Sequence, residues 1–376
     1  MTTPELIIPT ERVRDLTNAP RRLPIEVEGS VAYELVLAMW TVFNPESSSA
    51  AFDLGEDWFE NVRRSVPDDL AEEIVTLGGP YSFAWLGISS LLLSAPHPHD
   101  PDHVYTWLED VDEGRLRRWL IGYSSHDEDQ SLIEQAAAGD MEAALRLLGE
   151  KAEEKPEIVD YVRWLVVTDD LPRRFTNTLK RFRSEVFSDF EDDFAAAIGR
   201  AAAARRAAPM RGDAKSVIEE VTSGLSFEIP RGVNRVILVP SVVNRPLSLI
   251  DVHRGILVVY YGIADEFINS DPEAPPSWLL RVYKALGDDK RLRIMRRLSE
   301  GEATLDELTE MLGLSKSTVH HHMSLLRGAG LVRVQMSAEE SKGKHKTYSV
   351  REQSVADAGD FLDSYLRTTE LEQRNA

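Results

Sequence analysis

The sequence predicts a mainly α-helical protein with a small antiparallel β unit and a C-terminal α+β module, and three observations carry that prediction. From about Ser30 to Ser223 apolar residues recur every three or four positions; between about Leu225 and Gly262 the texture turns to strands; beyond a proline-rich stretch, short capped helices are followed by two strand-like runs.

With 376 residues the chain exceeds the usual single-domain size, and 43% hydrophobic with 28% charged residues is ordinary globular composition. The absence of cysteine excludes disulfides, thiolate metal sites and cysteine nucleophiles, and it fits a reducing compartment. Met1 to Thr10 lacks the basic start and apolar core of a signal peptide, and the apolar-leaning run from Phe83 to Ala95 is broken by serines and too short for a bilayer. A cytoplasmic protein without a membrane span is expected.

Ser30 is placed to cap a first helix carrying Val31, Leu35, Ala38, Met39 and Val42, which Asn44-Pro45 stops. Further helices are expected at Trp58 to Val66, Asp68 to Leu77, Asp102 to Val111, Met141 to Lys151 and Glu157 to Val167. After Pro172, Phe175, Leu179, Phe182, Val186, Phe190, Phe194 and Ile198 form a continuous stripe. Its charged faces, basic first and acidic later, suit a solvated helix with internal ion pairs better than a partner surface. Strands follow at Leu225 to Ile229, Val236 to Pro240 and Ile256 to Tyr261, with a bend at Arg254-Gly255. Asp271-Pro272-Glu273-Ala274-Pro275-Pro276 cannot continue a helix and marks a boundary. The predicted organisation is a helical regulatory region over 1–222, a β unit completing it over 223–270, a linker over 271–277, a compact module over 278–350, and a C-terminal dimerisation helix and tail over 351–376.

In the module, Ser277 can cap a helix from Trp278, and a second helix from Asp289 directs Leu292, Ile294, Met295 and Leu298 inward before Gly301 ends it. Thr304 with Glu307 is a capping-box pattern opening a short helix that Gly313 closes. Ser315 caps the next, on which Val319, Met323 and Leu326 share one stripe while Ser317, His321 and Ser324 fall opposite, with Lys316 and His320 on a shoulder. Two helices meeting through a tight turn, the second with a small polar outer face, is the helix-turn-helix layout for a major groove about 12 Å wide. Leu331 to Gln335 and Lys346 to Val350 then alternate as a hairpin, with cations at its tip: a wing. The segment from Trp278 to Val350 holds 13 basic and 9 acidic residues on a chain whose net charge is −20, so only this face suits a polyanion.

Lys316, Ser317, His320 and His321 are the candidate base-reading residues. Ser315, Thr318, Lys342, Lys344 and Lys346 are the candidate phosphate contacts, with Arg327 and His345 completing the DNA-binding set. Alanine to isoleucine across Ala285-Leu286-Gly287-Asp288-Asp289-Lys290-Arg291-Leu292-Arg293-Ile294, followed by Leu314-Ser315-Lys316-Ser317-Thr318-Val319-His320-His321-His322-Met323, resembles the ArsR winged-helix regulators over a fifth to a quarter of the chain. The resemblance implies a homodimer paired through the first and last helices of the domain (here Trp278 to Leu286 and Val355 to Leu366), operators that are inverted repeats, and repression until an effector acts. The family's familiar metal-sensing positions use cysteines, or histidine with carboxylate on the last helix. Here the last helix offers Asp357, Asp360 and Asp363 without histidine, so no metal or other cofactor is expected there. The region from Ser30 to Gly262, including the step Val239-Pro240-Ser241, resembles more loosely the helical N-terminal regions of some actinobacterial ArsR-like regulators.

His320-His321-His322 point about 100° apart along a helix and cannot converge on one ion. His97, His99 and His103, with Asp100 and Asp102, are the sharper metal candidate, against the plainer reading of a polar turn into a helix capped by Asp102. Asp169-Asp170, Glu219-Glu220 and Asp251 with His253 read as solvated surface. No phosphate loop, nucleophile elbow or zincin pair is present, so no catalytic residues are assigned. The expectation is therefore a DNA-binding regulator whose N-terminal region senses a ligand or partner or sets dimer geometry. The alternatives are a winged helix used as a protein-interaction module and an enzyme-like N-terminal domain fused to a DNA-binding module.

Overall fold

The computed structural model describes residues 23–44, 52–125, 129–208, 212–227, 229–230, 232–253, 255–268, 275, 277–336, 346–352, 354–356, 359–360, 362–363 and 365–366. A short strand β1 (Ile25–Val27) leads into α1 (Val31–Phe43), which Ser30 caps by accepting from the Ala32 N–H. Helices α2 (Gly55–Ser65), α3 (Asp68–Gly78), α4 (Phe83–Leu92), α5 (Pro101–Glu109), α6 (Glu113–Ser125), α7 (Gln130–Ala137), α8 (Met141–Leu148), α9 (Lys151–Glu154) and α10 (Pro156–Val167) build a body around it. α1 is its hub: all but two of its residues, Trp40 and Phe43, are buried, so it is apolar on nearly every face. α5 is capped by Asp100, whose carboxylate accepts from the His103 N–H, and not by Asp102: Pro101 at the first helical position needs no N–H partner and fixes the start one residue earlier.

The long stripe forms α11 (Leu171–Phe182) and α12 (Ser188–Ala207), joined by a π turn at Arg183–Phe187. Four successive four-residue steps from Phe182 to Ile198 overshoot a 3.6-residue period, and the wider π turn absorbs part of the drift. Phe175, Leu179, Phe182, Val186, Phe194 and Ile198 all end buried. The expected ion pairs are present, Arg181 with Glu185 and Arg183 with Glu191, together with bonds to Asp69 and Asp102 on neighbouring helices.

After α13 (Ala214–Val221) come β2 (Leu225–Phe227), β3 (Arg235–Ser241), β4 (Leu249–His253) and β5 (Ile256–Gly262). The β unit is not the antiparallel one expected. Its order is β1-β3-β5-β4, with β1, β3 and β5 parallel and only the β4–β5 hairpin antiparallel. The hairpin follows from the local bend at Gly255, whereas β1 is supplied by chain that precedes the entire helical body. Alternate residues explain the unbroken apolar runs: Ile237, Val239, Val258 and Tyr260 face the helical core, while Val236, Leu238, Leu257 and Val259 face Val217 and Ile218 of α13. Asp251, read as surface, is buried instead and accepts from Ser90 Oγ; burial pushes its pKa up.

Beneath the sheet's carboxyl end lies Glu34, 1% exposed. Its Oε1 accepts from the backbone N–H groups of Val242 (2.8 Å) and Val243 (2.6 Å), while burial raises its pKa to about 7. The loop so held continues through Arg245 and Pro246 toward the C-terminal module.

That module contains α14 (Ser277–Leu286), α15 (Asp289–Ser299), β6 (Ala303–Thr304), α16 (Leu305–Leu312), α17 (Lys316–Gly328), β7 (Val332–Met336) and β8 (Lys346–Val350), a winged helix-turn-helix. Val282, Ile294, Leu298, Leu308, Val319, Met323, Leu326, Val332 and Tyr348 are among the residues of its separate core. Leu292, expected inward, is 51% exposed. The neighbouring Arg291 turns toward α14, donating to the Ala285 and Lys284 carbonyls (2.6 and 2.8 Å), which places Leu292 on the outer shoulder. Most of the linker lies outside the described residues, and the segment expected as a C-terminal helix is helical at its described positions from 352 to 366.

Candidate nucleic-acid interface

Local chemistry builds the helix-turn-helix. Thr304 and Glu307 form a complete capping box: the Glu307 N–H donates to Thr304 Oγ1 (3.3 Å) and the Thr304 N–H to Glu307 Oε2 (2.7 Å). Gly313 ends α16 at φ +64°, a conformation costly for a residue with a Cβ, and so turns the chain sharply into α17. Ser315 then caps α17, its Oγ accepting from the Thr318 N–H (3.2 Å).

With Val319, Met323 and Leu326 buried, the opposite face of α17 is outward: Ser315, Lys316, Ser317, Thr318, His320 and His321 are all exposed. The structure therefore brings together six of the sequence-predicted site residues. Ser315 Oγ lies 2.9 Å from Ser317 Oγ and 2.8 Å from Thr318 Oγ1, a cluster of hydroxyls at the helix start, where the dipole favours an anion. Lys316 Nζ rests 2.7 Å from Asp306 Oδ1, with both side chains largely in solvent, so exchanging this pair for a phosphate costs little. Partial desolvation of the His320 ring against the domain surface, assisted by the charges of Arg327, Lys346 and His321, lowers its pKa from the ordinary value. A neutral imidazole offers one ring N–H to donate and one nitrogen to accept. His322 is turned toward Asp288, with Nδ1 and Oδ1 3.9 Å apart.

The wing pairs Val332↔Val350 through Met336↔Lys346, which leaves Lys346 exposed at the base of the tip. Lys342, Lys344 and His345 lie outside the described residues. Arg327 departs from its expected DNA-facing role: it stands at the far end of α17 and lines a small cleft with Thr222, Leu225, Pro246, Ser248 and Val334, so it faces the body. Twelve residues after Ser315, it is more than three turns from the groove-entering end.

The body does more than tether this module. Strand β2, assigned from sequence to the β unit, instead pairs in parallel with β7 (Leu225↔Val334 to Phe227↔Met336), so the wing sheet has the order β2-β7-β8-β6. An edge strand presents unpaired N–H and C=O groups, and the edge of β7 is satisfied from the body. Arg333 on β7 reaches Glu219 on α13 (2.5 Å). Asp265 accepts from the first turn of α14 through the Trp278 N–H (2.9 Å) and also pairs with Arg245, while Asp53 pairs with Arg281. Pro246 abuts Gly328 so closely that a Cβ there would stand 2.8 Å from Pro246 Cγ. None of these contacts was legible in the sequence: each joins residues far apart in the chain, and a three-residue strand carries too little pattern to name its partner.

At the metal candidate, His97 and His99 come together with Glu28, their potential ligand atoms all within 4.8 Å of one another, whereas His103 is not in the group. His103 lies in the first turn of α5 and donates its backbone N–H to Asp100. His99 is already engaged on both ring nitrogens, Nε2 with the Ala95 carbonyl (2.8 Å) and Nδ1 with Tyr33 Oη (2.7 Å) and Glu28 (2.9 Å). Burial opposes its protonation, but the bonds to Glu28 and Ala95 outweigh it and raise the pKa. That is the signature of a core histidine more than of a waiting ligand.

Residues 288–334 match the family described as bacterial regulatory protein, arsR family. The HTH-type transcriptional regulator CmtR of Mycobacterium tuberculosis is 43% identical over 60 residues, which cover 16% of this chain and 51% of CmtR. The probable mercury resistance operon repressor of Streptomyces lividans is 34% identical over 86 residues (23% of this chain, 65% of the relative), and the transcriptional repressor SdpR of Bacillus subtilis is 25% identical over 85 residues (23% and 89%). The chain spans about half the length of the CmtR proteins it matches. Its winged helix is homologous to ArsR-type transcriptional regulators, and the remainder lies outside these matches. Among the described residues no helix is long and apolar enough to cross a membrane.

Proposed function

We propose that this chain is a sequence-specific DNA-binding transcriptional repressor of ArsR type, acting in the cytoplasm as a homodimer on an inverted repeat, and not an enzyme. The observation that carries the reading is the outward face of α17. Ser315 to Thr318, His320 and His321 are free of the acidic body, which grips the module from the opposite end of that helix. In a groove, Lys316, Ser317, His320 and His321 meet base edges, and Ser315, Thr318 and the wing lysines meet phosphates. Exposed large apolar residues on α14 and α15 (Leu280, Tyr283, Leu292) and in the C-terminal segment (Val355, Leu366) supply a surface for pairing two copies. The net charge of the body repels phosphate and orients the encounter onto the module. Because β2 and Pro246 touch the reading module directly, the N-terminal region is positioned to sense a ligand or partner, or to set the spacing of the two recognition helices.

Selection of bound sequences from random duplex DNA tests this. A palindromic consensus is expected, and Ser317→Ala combined with His321→Ala should relax the preference at about one or two base pairs per half-site, at about 1–3 kcal/mol each. Enrichment of no sequence, with binding to no duplex at low salt, would refute it.

A further inference from the structure

Three successive histidines on α17 meet two different surroundings. His322 is turned into its own domain, with Nδ1 3.9 Å from Asp288 Oδ1. His320 and His321 stand exposed on the outward face. Among the described residues, the histidines that have a carboxylate within ion-pair distance are His99 and His322, not these two.

The charges that reach His320 carry the sign it would itself acquire: Arg327 two turns further along α17, Lys346 on β8 of the wing, and the adjacent His321. Partial desolvation acts in the same direction, so the ring resists protonation in the absence of DNA. The carboxylates on neighbouring helices are engaged elsewhere. Asp306 on α16 is held by Lys316 Nζ at 2.7 Å, and Asp288 accepts from the Arg291 N–H at 2.9 Å and faces His322. The reading face therefore carries two imidazoles to which the fold supplies no counter-charge.

A duplex supplies it. Its backbone brings one negative charge for about every 1.7 Å of helix axis. Phosphate oxygens and the N7 and O6 atoms of guanine are acceptors, and a protonated imidazole meets them with two N–H donors where the neutral ring has one. The electrostatic balance that keeps a proton off the free chain is thus reversed in the complex.

We propose that His320 and His321 engage DNA as imidazolium cations, taking up protons as the duplex docks, so that acidification tightens binding to the operator. This deepens the DNA-binding reading above and rests on it. A proton held in the complex but not in the free chain raises affinity as pH falls, by up to about tenfold per pH unit for each proton, and the gain levels off once the free chain is itself protonated. His322 adds little to the difference, because its carboxylate partner is present with and without DNA. Glu34, whose pKa of about 7 falls in the same range, is enclosed in the body on α1 and is told apart by its own variant.

The test is isothermal titration of the full-length chain with the palindromic duplex obtained by selection, at constant ionic strength and about pH 6.5, near the middle of the histidine range. Running it in PIPES and in Bis-Tris, whose ionisation enthalpies differ, makes the difference in heat a count of protons exchanged. Uptake of about one to two protons per protomer is expected, with affinity about tenfold or more higher at about pH 5.5 than at about pH 8. His320→Gln and His321→Gln, both at exposed positions, should each lower the uptake and together remove most of it, whereas Glu34→Gln should retain it. A measurement on wild type alone is independent of these variants: the log–log slope of affinity against salt should be steeper at the lower pH by about one for each proton gained. No uptake in wild type, the same uptake in the double glutamine variant, loss of uptake in Glu34→Gln, or equal salt slopes at the two pH values would overturn the proposal. Binding to no duplex at any pH removes the DNA-binding reading and this inference with it, whereas DNA binding without proton uptake removes the inference alone.

Discussion

Replacing Glu34 by Gln should change how stability depends on pH, and the size of the change follows from the carboxylate's surroundings. Glu34 is fully enclosed, with Oε1 shared by two backbone N–H groups and Oε2 without a hydrogen-bond partner among the described residues. Its pKa is raised from the ordinary carboxylate value to about 7. Between those two values the folded chain holds a proton that the unfolded chain has released, so stability falls as pH rises, by about 1.4 kcal/mol per pH unit. From about pH 5.5 to about pH 8 the loss attributable to this group is about 2 kcal/mol. Gln keeps the Oε1 acceptor and cannot ionise. Its buried amide N–H2 carries a cost of about 1–3 kcal/mol, but that cost is the same at both pH values. The measurement is urea unfolding of wild type and Glu34→Gln by circular dichroism at the two pH values. The variant should gain about 2 kcal/mol on wild type in going from the lower to the higher pH. Parallel pH profiles for the two proteins would refute the assignment of the ionisable group to this buried site.

Three further outcomes are expected. Lys346→Ala, at the base of the wing, should lower the log–log slope of DNA affinity against salt by about one, read by gel shift; an unchanged slope would place Lys346 away from phosphate. Gly328→Ala should destabilise the chain by about 1–3 kcal/mol despite alanine's better helix propensity, because the new Cβ meets a proline ring that cannot rotate away; a stabilised variant in thermal unfolding would show that Pro246 yields. Thr304→Ala removes the cap of α16 and should cost about 1 kcal/mol in urea unfolding, with loss of the Thr304–Glu307 bonds; no change would mean that the capping box adds nothing to helix packing.

Where function is concerned, the sequence was most informative in the last quarter of the chain. Caps, stripes and turns there are local: Thr304 with Glu307, Gly313, Ser315 and the spacing of Val319, Met323 and Leu326 each act within a few residues, so their meaning survives without knowledge of the rest. The same holds for Ser30 and for the stripe from Phe175 to Ile198. Leu292 and Arg327 were misjudged because a helical wheel names a face without saying what covers it. The β unit was misjudged for a related reason. Two runs apolar at every position, Val236 to Val239 and Leu257 to Tyr261, are the pattern of strands covered on both sides, which favours parallel pairing, but the strand completing the sheet lies upstream of the helical body.

What this sequence determined by itself was the helical class of the body, several of its capped helices and the reading head, since backbone satisfaction at a helix end and the 3.6-residue period are short-range physics; helices such as α4 (Phe83–Leu92) and α13 (Ala214–Val221) were not read from it. Only the tertiary structure decided that Leu225–Phe227 enters the wing sheet, that Pro246 braces the recognition helix, and that Arg333 on the wing reaches Glu219 of the body. Such contacts form where the packing of the two cores brings surfaces together, and no periodicity along the chain encodes which surfaces those are.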